Sequence, residues 1–277
     1  MADFRFSDEE IKQFTRDGFI LGPQVIEPEK IGDLVAEVMR VIDERDRADI
    51  PQPVWVKDMT GGKGDRPVWQ IVNIWQGSKV FEELMRSPGV AAAAAQLMQA
   101  NELRIWHDQI QYKPPQRGGK TGWHQDSMAW PPIAPKGRQI TAWIALDDAD
   151  EENGAMSMVP GSHHWGPADE VLHGIEDFHR LPEEHQGHRV TKVLCPVKAG
   201  CVHFHHGLTW HGSHDNTSGR HRRAIALHYM TEQTVYTGIP GHGATPHPMA
   251  RFITAEKDEK IAGHPFELVY KSERIHA

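Results

Sequence analysis

The sequence has few of the features that mark secreted or membrane-spanning chains. Its 277 residues include only two cysteines, Cys195 and Cys201, and their spacing differs from the CxxC pattern of zinc and redox sites. We therefore expect two buried thiols of a cytoplasmic protein rather than a disulfide. The hydrophobic runs all fall short of the roughly 18 residues that a membrane-spanning helix needs, so we expect no membrane contact.

The N-terminus and the charge distribution argue against two further classes. Residues 1–10 contain no apolar segment like that of a secretory signal, which supports the cytoplasmic prediction. The formal net charge is -8 with neutral histidine, and the basic residues form no dense run. A mildly acidic chain of this kind binds polyanions poorly, so we expect no nucleic-acid partner.

We predict one domain over residues 1–277, because no low-complexity linker divides the chain. Residues 1–100 carry helix signals and are predicted to be mainly helical support for the rest. Residues 101–235 contain short strand patterns separated by turn residues, which predict an antiparallel sandwich, barrel or jelly roll. Residues 236–277 are expected to form a C-terminal extension.

Individual elements follow from capping and periodicity. Ser7 to Glu10 has the sequence of a capping box, and an apolar period of about 3.6 residues begins at Pro28, so both mark helices. Residues 51–67, rich in glycine, proline and aspartate, are predicted to be a loop. The predicted strands are 103–113, 140–146, 155–159, 190–196, 202–206 and 223–229.

A His-x-Asp tripeptide, His124 to Asp126, is the strongest candidate for chemistry. On an extended segment, residues two apart point to the same side, so one imidazole and one carboxylate can reach one metal ion. Two histidines and one carboxylate leave open positions on a metal and are typical of non-haem Fe(II) oxygenases. The tripeptide alone is a weak signal, because this chain contains nineteen histidines.

The third metal ligand has to come from a second histidine-rich segment. By their chemistry, five residues qualify equally: His203, His205, His206, His211 and His214. His211 precedes Gly212, where the chain can turn tightly, and Arg222 follows eleven residues later. If segments 209–214 and 222–229 pair as neighbouring strands, Arg222 lies beside His211. A guanidinium near the metal is what a dicarboxylate cosubstrate would need.

Three segments together resemble the phytanoyl-CoA dioxygenase (PhyH-like) family of Fe(II)/2-oxoglutarate-dependent oxygenases. The matching segments are 123–126, 153–163 and 204–229, in the family's order and spacing. The resemblance extends from about Phe6 to Met230. It implies a mainly β fold with flanking helices, in which a double-stranded β-helix (jelly-roll, cupin-like) core follows N-terminal helices. It also implies Fe(II) as the metal, with 2-oxoglutarate and O2 as cosubstrates.

The resemblance also implies roles for individual residues. It assigns His124, Asp126 and His211 to the iron as the catalytic triad. Arg222 and Ser213 are expected to bind the distal carboxylate of 2-oxoglutarate. Further residues expected in the cofactor-binding pocket are Gln125, Trp143, Gln109 and Asn73. Residues that directly follow the His-x-Asp tripeptide often face the substrate, so the expected substrate contacts are Met128 and Trp130.

The predicted reaction is hydroxylation of a small organic molecule with release of succinate and CO2. Three alternatives stay open: a non-catalytic cupin-like metal-binding module, a 2-oxoglutarate-dependent halogenase and a zinc hydrolase. The intact Asp126 disfavours the halogenase, because halogenating relatives replace this carboxylate with a small residue. A small polar molecule or secondary metabolite is expected as substrate, and the protein is expected to be a monomer or homodimer.

Overall fold

The computed structural model describes residues 4–63, 66–116 and 119–272. The first helix begins with the expected capping box, in which Ser7 and Glu10 exchange side-chain-to-backbone hydrogen bonds, and it ends at Gly18 in the left-handed conformation. The helices are α1 (Asp8–Asp17), α2 (Pro28–Asp43), α3 (Lys79–Met85), α4 (Pro88–Met98) and α5 (Asp169–His173).

Strands are the main regular elements after residue 100. In chain order they are β1 (Phe19–Gln24), β2 (Trp55–Asp58), β3 (Trp69–Val72), β4 (Glu102–Lys113), β5 (Thr121–His124), β6 (Ile133–Ala134), β7 (Gln139–Ala145), β8 (Met156–Met158), β9 (Glu184–His185), β10 (His188–Arg189), β11 (Val193–Cys195), β12 (Cys201–His206), β13 (His211–Ser213), β14 (Arg222–Thr231), β15 (Val235–Tyr236), β16 (Gly241–His242), β17 (Thr245–Pro246) and β18 (Leu268–Lys271).

Two antiparallel sheets form the jelly roll. The large sheet has the order β1-β12-β7-β14-β4-β3-β2, with β18 also paired to β4. The small sheet has the order β11-β8-β13-β5. The predicted fold, a mainly β jelly roll with N-terminal helices, is confirmed.

Strand alternation separates two environments on the large sheet. On β14, Ile225 and Leu227 point to the outer face and pack with the helices in the main hydrophobic core. Ala224 and Ala226 point to the inner face and pack with the small sheet. The small side chains at these inner positions leave room between the sheets for a pocket.

Two local predictions are corrected by the sheet topology. Residues 51–67 are more than a loop, because β2 pairs in antiparallel register with β3 and joins the large sheet. The proposed pairing of segments 209–214 and 222–229 is wrong. β13 pairs with β5 and β8 in the small sheet, whereas β14 lies between β4 and β7 in the large sheet.

The C-terminal segment packs on the core as far as it is described. Met249, Ile261 and Phe266 join a buried cluster with Trp106 and Trp130. Residues 273–277 of the predicted extension lie outside the described residues. Among the residues that the structure covers, no helix has the length and apolar character needed to cross a membrane. The three-part division of the chain stays a prediction.

Candidate active site

Two histidines face each other across neighbouring strands of the small sheet. His211 on β13 pairs directly opposite His124 on β5. The Nδ1 atom of His124 lies 2.8 Å from the carbonyl oxygen of Gly122, and that of His211 lies 2.9 Å from the carbonyl oxygen of Thr209. A carbonyl only accepts hydrogen bonds, so each Nδ1 carries the proton and each Nε2 keeps a free lone pair.

Asp126 completes the group from the short 3-10 turn after β5. Its Oδ1 lies 3.5 Å from Nε2 of His124 and 3.5 Å from Nε2 of His211. One ligand atom from each of the three residues lies within 4.8 Å of the others, and the group is the one cluster of this kind among the described residues. Two imidazole nitrogens and one carboxylate oxygen on one side suit Fe(II).

The second carboxylate oxygen of Asp126 is engaged elsewhere. Oδ2 accepts a hydrogen bond of 2.7 Å from the Thr141 hydroxyl and one of 3.0 Å from Nε2 of His205. Burial opposes ionisation of Asp126, but His211, His124 and His205 outweigh it and hold its pKa well below the ordinary value. Asp126 is therefore a carboxylate whose Oδ1 alone is left for a metal.

The other candidate third ligands are held away from the triad's common point. His203 is buried and stacks on Phe19. His206 bonds the carbonyl oxygen of Gly137, and His214 bonds that of Asp215. His205 does reach Asp126, but at Oδ2, so His211 is the candidate whose Nε2 lies with His124 beside Oδ1.

Arg222 points to the inner face of β14 and its neighbour Arg223 points outward. Arg222 is 1% exposed, and one of its Nη atoms lies 3.5 Å from the hydroxyl of Ser213. Burial lowers the pKa of Arg222 to about 10, so it stays cationic at neutral pH. Arg223 forms an ion pair with Asp147, with an Nε–Oδ2 distance of 2.7 Å. Ser213 and Arg222 therefore meet across the two sheets rather than along one hairpin.

A cavity of about 570 Å³ opens beside the metal triad. Gln109, Gln111 and Lys113, which alternate along the inner face of β4, all line it. Trp143 lines the adjoining recess with Ser213, and its indole N–H donates to Oε1 of Gln111 over 3.1 Å. The volume is in the range of small-molecule sites.

Gln125 does not reach this cavity. The alternation that turns His124 and Asp126 towards the metal turns Gln125 the other way. Its amide donates to the carbonyl oxygens of Gly166 and Leu208 and accepts from the N–H of Ala168. The predicted cofactor contact is therefore corrected: the Gln125 side chain links the loops at residues 166–168 and at Leu208 on the side away from the cavity.

Asn73 is likewise a structural residue. Its Oδ1 accepts from the backbone N–H of Asp108, and its Nδ2 lies 3.6 Å from the sulfur of Met249. It is fully buried, with a positive φ of 55°, at the start of a 3-10 turn. These contacts account for its polar atoms without a cosubstrate.

The two predicted substrate contacts differ in position. Trp130 lines the cavity together with Ala129. Met128 is half-buried and is not among the described residues of the cavity wall. In this turn Trp130, rather than Met128, therefore faces the cavity.

Four inner-face residues lie outside the sequence-predicted site: Gln111, Lys113, Thr141 and His228. His205, a candidate ligand from the sequence, contacts Oδ2 of Asp126 instead. Gln111 and Lys113 share the face of Gln109, so alternation along β4 is a signal that could have found them. The contacts of Thr141 and His205 with Asp126 depend on how β7 and β12 pair, and no local pattern contains that information.

Comparison with known proteins identifies the family. Residues 14–224 match phytanoyl-CoA dioxygenase (PhyH). The chain belongs to this family.

Curated relatives are dioxygenases. Ectoine dioxygenase of Bordetella parapertussis is 27% identical over 264 residues, which cover 87% of this chain and 80% of the relative. Peroxisomal phytanoyl-CoA dioxygenase of Rattus norvegicus is 26% identical over 249 residues, with 84% and 71% covered.

A solved structure with the same fold comes from nogalamycin biosynthesis. The non-heme alpha ketoglutarate dependent carbocyclase SnoK has a TM-score of 0.74 and 25% identity, and the match covers 97% of this chain and 99% of SnoK. The epimerase SnoN has a TM-score of 0.72 and 25% identity, with 95% and 98% covered. The predicted class, an Fe(II)- and 2-oxoglutarate-dependent dioxygenase, is confirmed.

Proposed function

We propose that this dioxygenase hydroxylates a small organic molecule with Fe(II) bound by His124, Asp126 and His211. The convergence of two Nε2 atoms and one Oδ1 atom supports these ligands. Bound Fe(II), 2-oxoglutarate and O2 together supply an oxidant that removes hydrogen from carbon, and the cosubstrate leaves as succinate and CO2.

The protein's own contribution at the metal is to fix the tautomer of the two histidines and the orientation of the carboxylate. The carbonyls of Gly122 and Thr209 hold the Nδ1 protons of His124 and His211. Thr141 and His205 occupy Oδ2 of Asp126. A carboxylate held in this way would offer a metal its Oδ1 alone, which would leave further positions for cosubstrate and O2.

Arg222 and Ser213 are the proposed site for the distal carboxylate of 2-oxoglutarate. Arg222 is buried and cationic, and its Nε has no hydrogen-bond partner among the described residues. A buried donor without a partner is costly, and a carboxylate would relieve that cost. Trp143 and Gln109 are proposed to form part of the same pocket, since both line the space beside the triad.

The cavity wall narrows the class of substrate. Trp69 and Trp130 offer flat apolar surface, and Gln70 and Gln109 offer uncharged hydrogen-bonding groups. Among the described lining residues, Asp126 is the one carboxylate, and it is assigned to the metal. We propose a small polar molecule or secondary metabolite that is neutral or anionic as substrate, with Trp130 as a contact.

A second outcome at the same site is epimerisation or ring closure of the substrate. Its support is that SnoN, an epimerase, and SnoK, a carbocyclase, each match nearly the whole chain. Both outcomes begin with removal of a hydrogen atom from substrate carbon. Ring closure then loses a second hydrogen, whereas epimerisation regains one and needs a two-electron reductant such as ascorbate to balance the turnover. The metal-binding module without activity and the zinc hydrolase are disfavoured, because neither requires a buried cationic arginine beside the metal.

The function is tested in two steps with purified protein. Anaerobic addition of 2-oxoglutarate to the Fe(II) protein is expected to give a weak visible charge-transfer band and to raise the melting temperature. Absence of both at millimolar 2-oxoglutarate would refute the proposal. A screen for succinate release across substrate classes then finds the substrate, and mass spectrometry identifies the reaction: hydroxylation adds one oxygen, ring closure removes two hydrogens and epimerisation leaves the mass unchanged.

We also propose that the protein works in the cytoplasm as a monomer or homodimer. Cys195 and Cys201 are free thiols, which is the usual state of cysteines in a reducing compartment. Light scattering coupled to gel filtration measures the oligomeric state directly. A larger assembly or secretion of the protein would contradict the proposal.

A further inference from the structure

Lys113, at the end of β4, is a buried lysine that is not one of the three metal-site residues. It is 2% exposed, lines the cavity and pairs across the strands with Arg222. Burial and the charge of Arg222 lower the pKa of Lys113 well below its ordinary value, against a weaker opposing effect of Asp215. Two basic side chains are thus held side by side in a space that largely excludes water.

The ammonium group of Lys113 is fully engaged by the strand that carries His211. It donates to the hydroxyl of Ser213 over 2.7 Å, to the Ser213 carbonyl over 3.3 Å and to the His214 carbonyl over 2.5 Å. Each of these acceptors is uncharged. The three acceptors match the three hydrogens of an ammonium group, so the contacts favour the protonated form of Lys113 against the effect of burial. A positive charge held in this way is not neutralised, which costs free energy unless an anion binds nearby.

The Ser213 hydroxyl is the point at which the two cations meet. Its oxygen accepts from Lys113 over 2.7 Å and from Arg222 over 3.5 Å. A hydroxyl has two acceptor lone pairs and one donor hydrogen. With both lone pairs in use, the hydrogen can only be donated away from the two cations, and no described residue receives it. Ser213 is therefore set up as a donor to an anion.

We propose that Lys113 is a positioning residue that acts through Ser213 to select a cosubstrate with a distal carboxylate. This inference rests on the proposed function of the site. By occupying the Ser213 oxygen, Lys113 orients the hydroxyl hydrogen for donation, and its charge adds to that of Arg222. A 2-oxo acid without a distal carboxylate would gain neither the hydrogen bond from Ser213 nor the attraction to the charge of Lys113.

The test compares two cosubstrates in anaerobic binding titrations of the Fe(II) protein. The ligands are 2-oxoglutarate and 2-oxopentanoate, which has the same chain length but lacks the distal carboxylate. In Lys113→Met, the preference for 2-oxoglutarate is expected to fall roughly tenfold or more, with little change for 2-oxopentanoate. Lys113→Arg, which keeps the charge, is expected to restore part of the preference.

Lys136→Met is the matched control. Lys136 is a half-buried lysine, and its ammonium group donates to the carbonyls of Trp130 and Ile133, away from Ser213. Lys136→Met removes hydrogen bonds to backbone carbonyls only, so we expect it to leave the preference for 2-oxoglutarate over 2-oxopentanoate unchanged. If Lys113 only stabilises the strands, Lys113→Met would weaken both ligands equally, and that result would overturn the inference.

A double-mutant cycle keeps the inference open to test if Lys113→Met folds poorly. Lys113→Gln and Ser213→Ala are combined, and the same two ligands are titrated. Action through Ser213 predicts that the two losses of preference are non-additive, whereas additive losses would contradict it. If wild-type protein binds no 2-oxoglutarate, the proposed function itself fails. If wild type binds and the variants keep its preference, only the role of Lys113 fails.

Discussion

His205 donates a hydrogen bond from Nε2 to Oδ2 of Asp126 over 3.0 Å, on the carboxylate oxygen that faces away from the other two triad residues. A histidine outside the triad thus fixes the orientation of the carboxylate within it. Thr141 reinforces this contact, and it receives a further hydrogen bond from His228 at 2.8 Å.

This relationship separates the roles of two histidines. His211→Ala is expected to abolish iron retention, because it removes a ligand atom from the triad. His205→Ala should keep the iron site but lower its affinity, roughly 10- to 100-fold, because Asp126 loses a partner. Iron content after dialysis against a weak chelator measures both. Iron loss in His205→Ala with retention in His211→Ala would reassign the third ligand.

Adjacent arginines on β14 provide a matched pair. Arg222→Met is expected to weaken 2-oxoglutarate binding roughly 100-fold, since the pocket loses its charge-assisted donors. Arg223→Met should leave binding unchanged and lower the melting temperature by about 2–4 °C, because it breaks the ion pair with Asp147. Calorimetric titration and thermal unfolding measure the two effects, and equal binding by both variants would contradict the assignment.

Close packing of β5 and β13 predicts a steric effect on the metal site. A Cβ atom added at Gly212 would lie 2.9 Å from the carbonyl oxygen of Thr121 and 3.0 Å from that of Gly122. Gly212→Ala is therefore expected to push the strands apart and to reduce iron binding. Gly122→Ala is the control, since nothing lies within 4 Å of its added Cβ. Equal iron affinity in the two variants would contradict this prediction.

The buried carboxyl group of Asp108 is expected to make the free energy of unfolding depend on pH. Burial raises its pKa to about 7, although the N–H groups of Ile74 and Trp75 donate to it. The folded state therefore binds this proton more tightly than the unfolded state, whose pKa is near 4. The contribution of Asp108 to stability is present below pH 4 and is lost as the pH rises to about 7. Asp108→Asn should flatten this part of the stability profile, as measured by urea unfolding at several pH values.

The sequence predicts the elements better than their arrangement. The capping box at Ser7 and the alternation along β4 are local signals, and the structure has both. Glycine and proline are frequent in residues 51–67 and predict a loop, yet pairing with β3 makes part of the segment a strand. A strand that owes its existence to a partner leaves only a weak pattern in its own sequence.

The site shows the same limit. His124 and Asp126 follow from spacing, whereas the preference for His211 and Arg222 rests partly on a strand pairing that does not exist. Arg222 reaches Ser213, two residues after His211, because the two sheets face each other, which depends on the whole topology. The error at Gln125 is avoidable, because the alternation that selects its neighbours excludes it from their side.

The pairing of His211 with His124 joins the last two strands of the small sheet, and β5 is its edge in the described part of the chain. An ion bound between these histidines would hold strand β5 against β13 at that edge. An edge strand that comes loose exposes unpaired backbone groups that another chain can capture. Iron starvation would therefore leave this protein prone to aggregation as well as inactive, and hydrogen exchange at β5 would report its iron status.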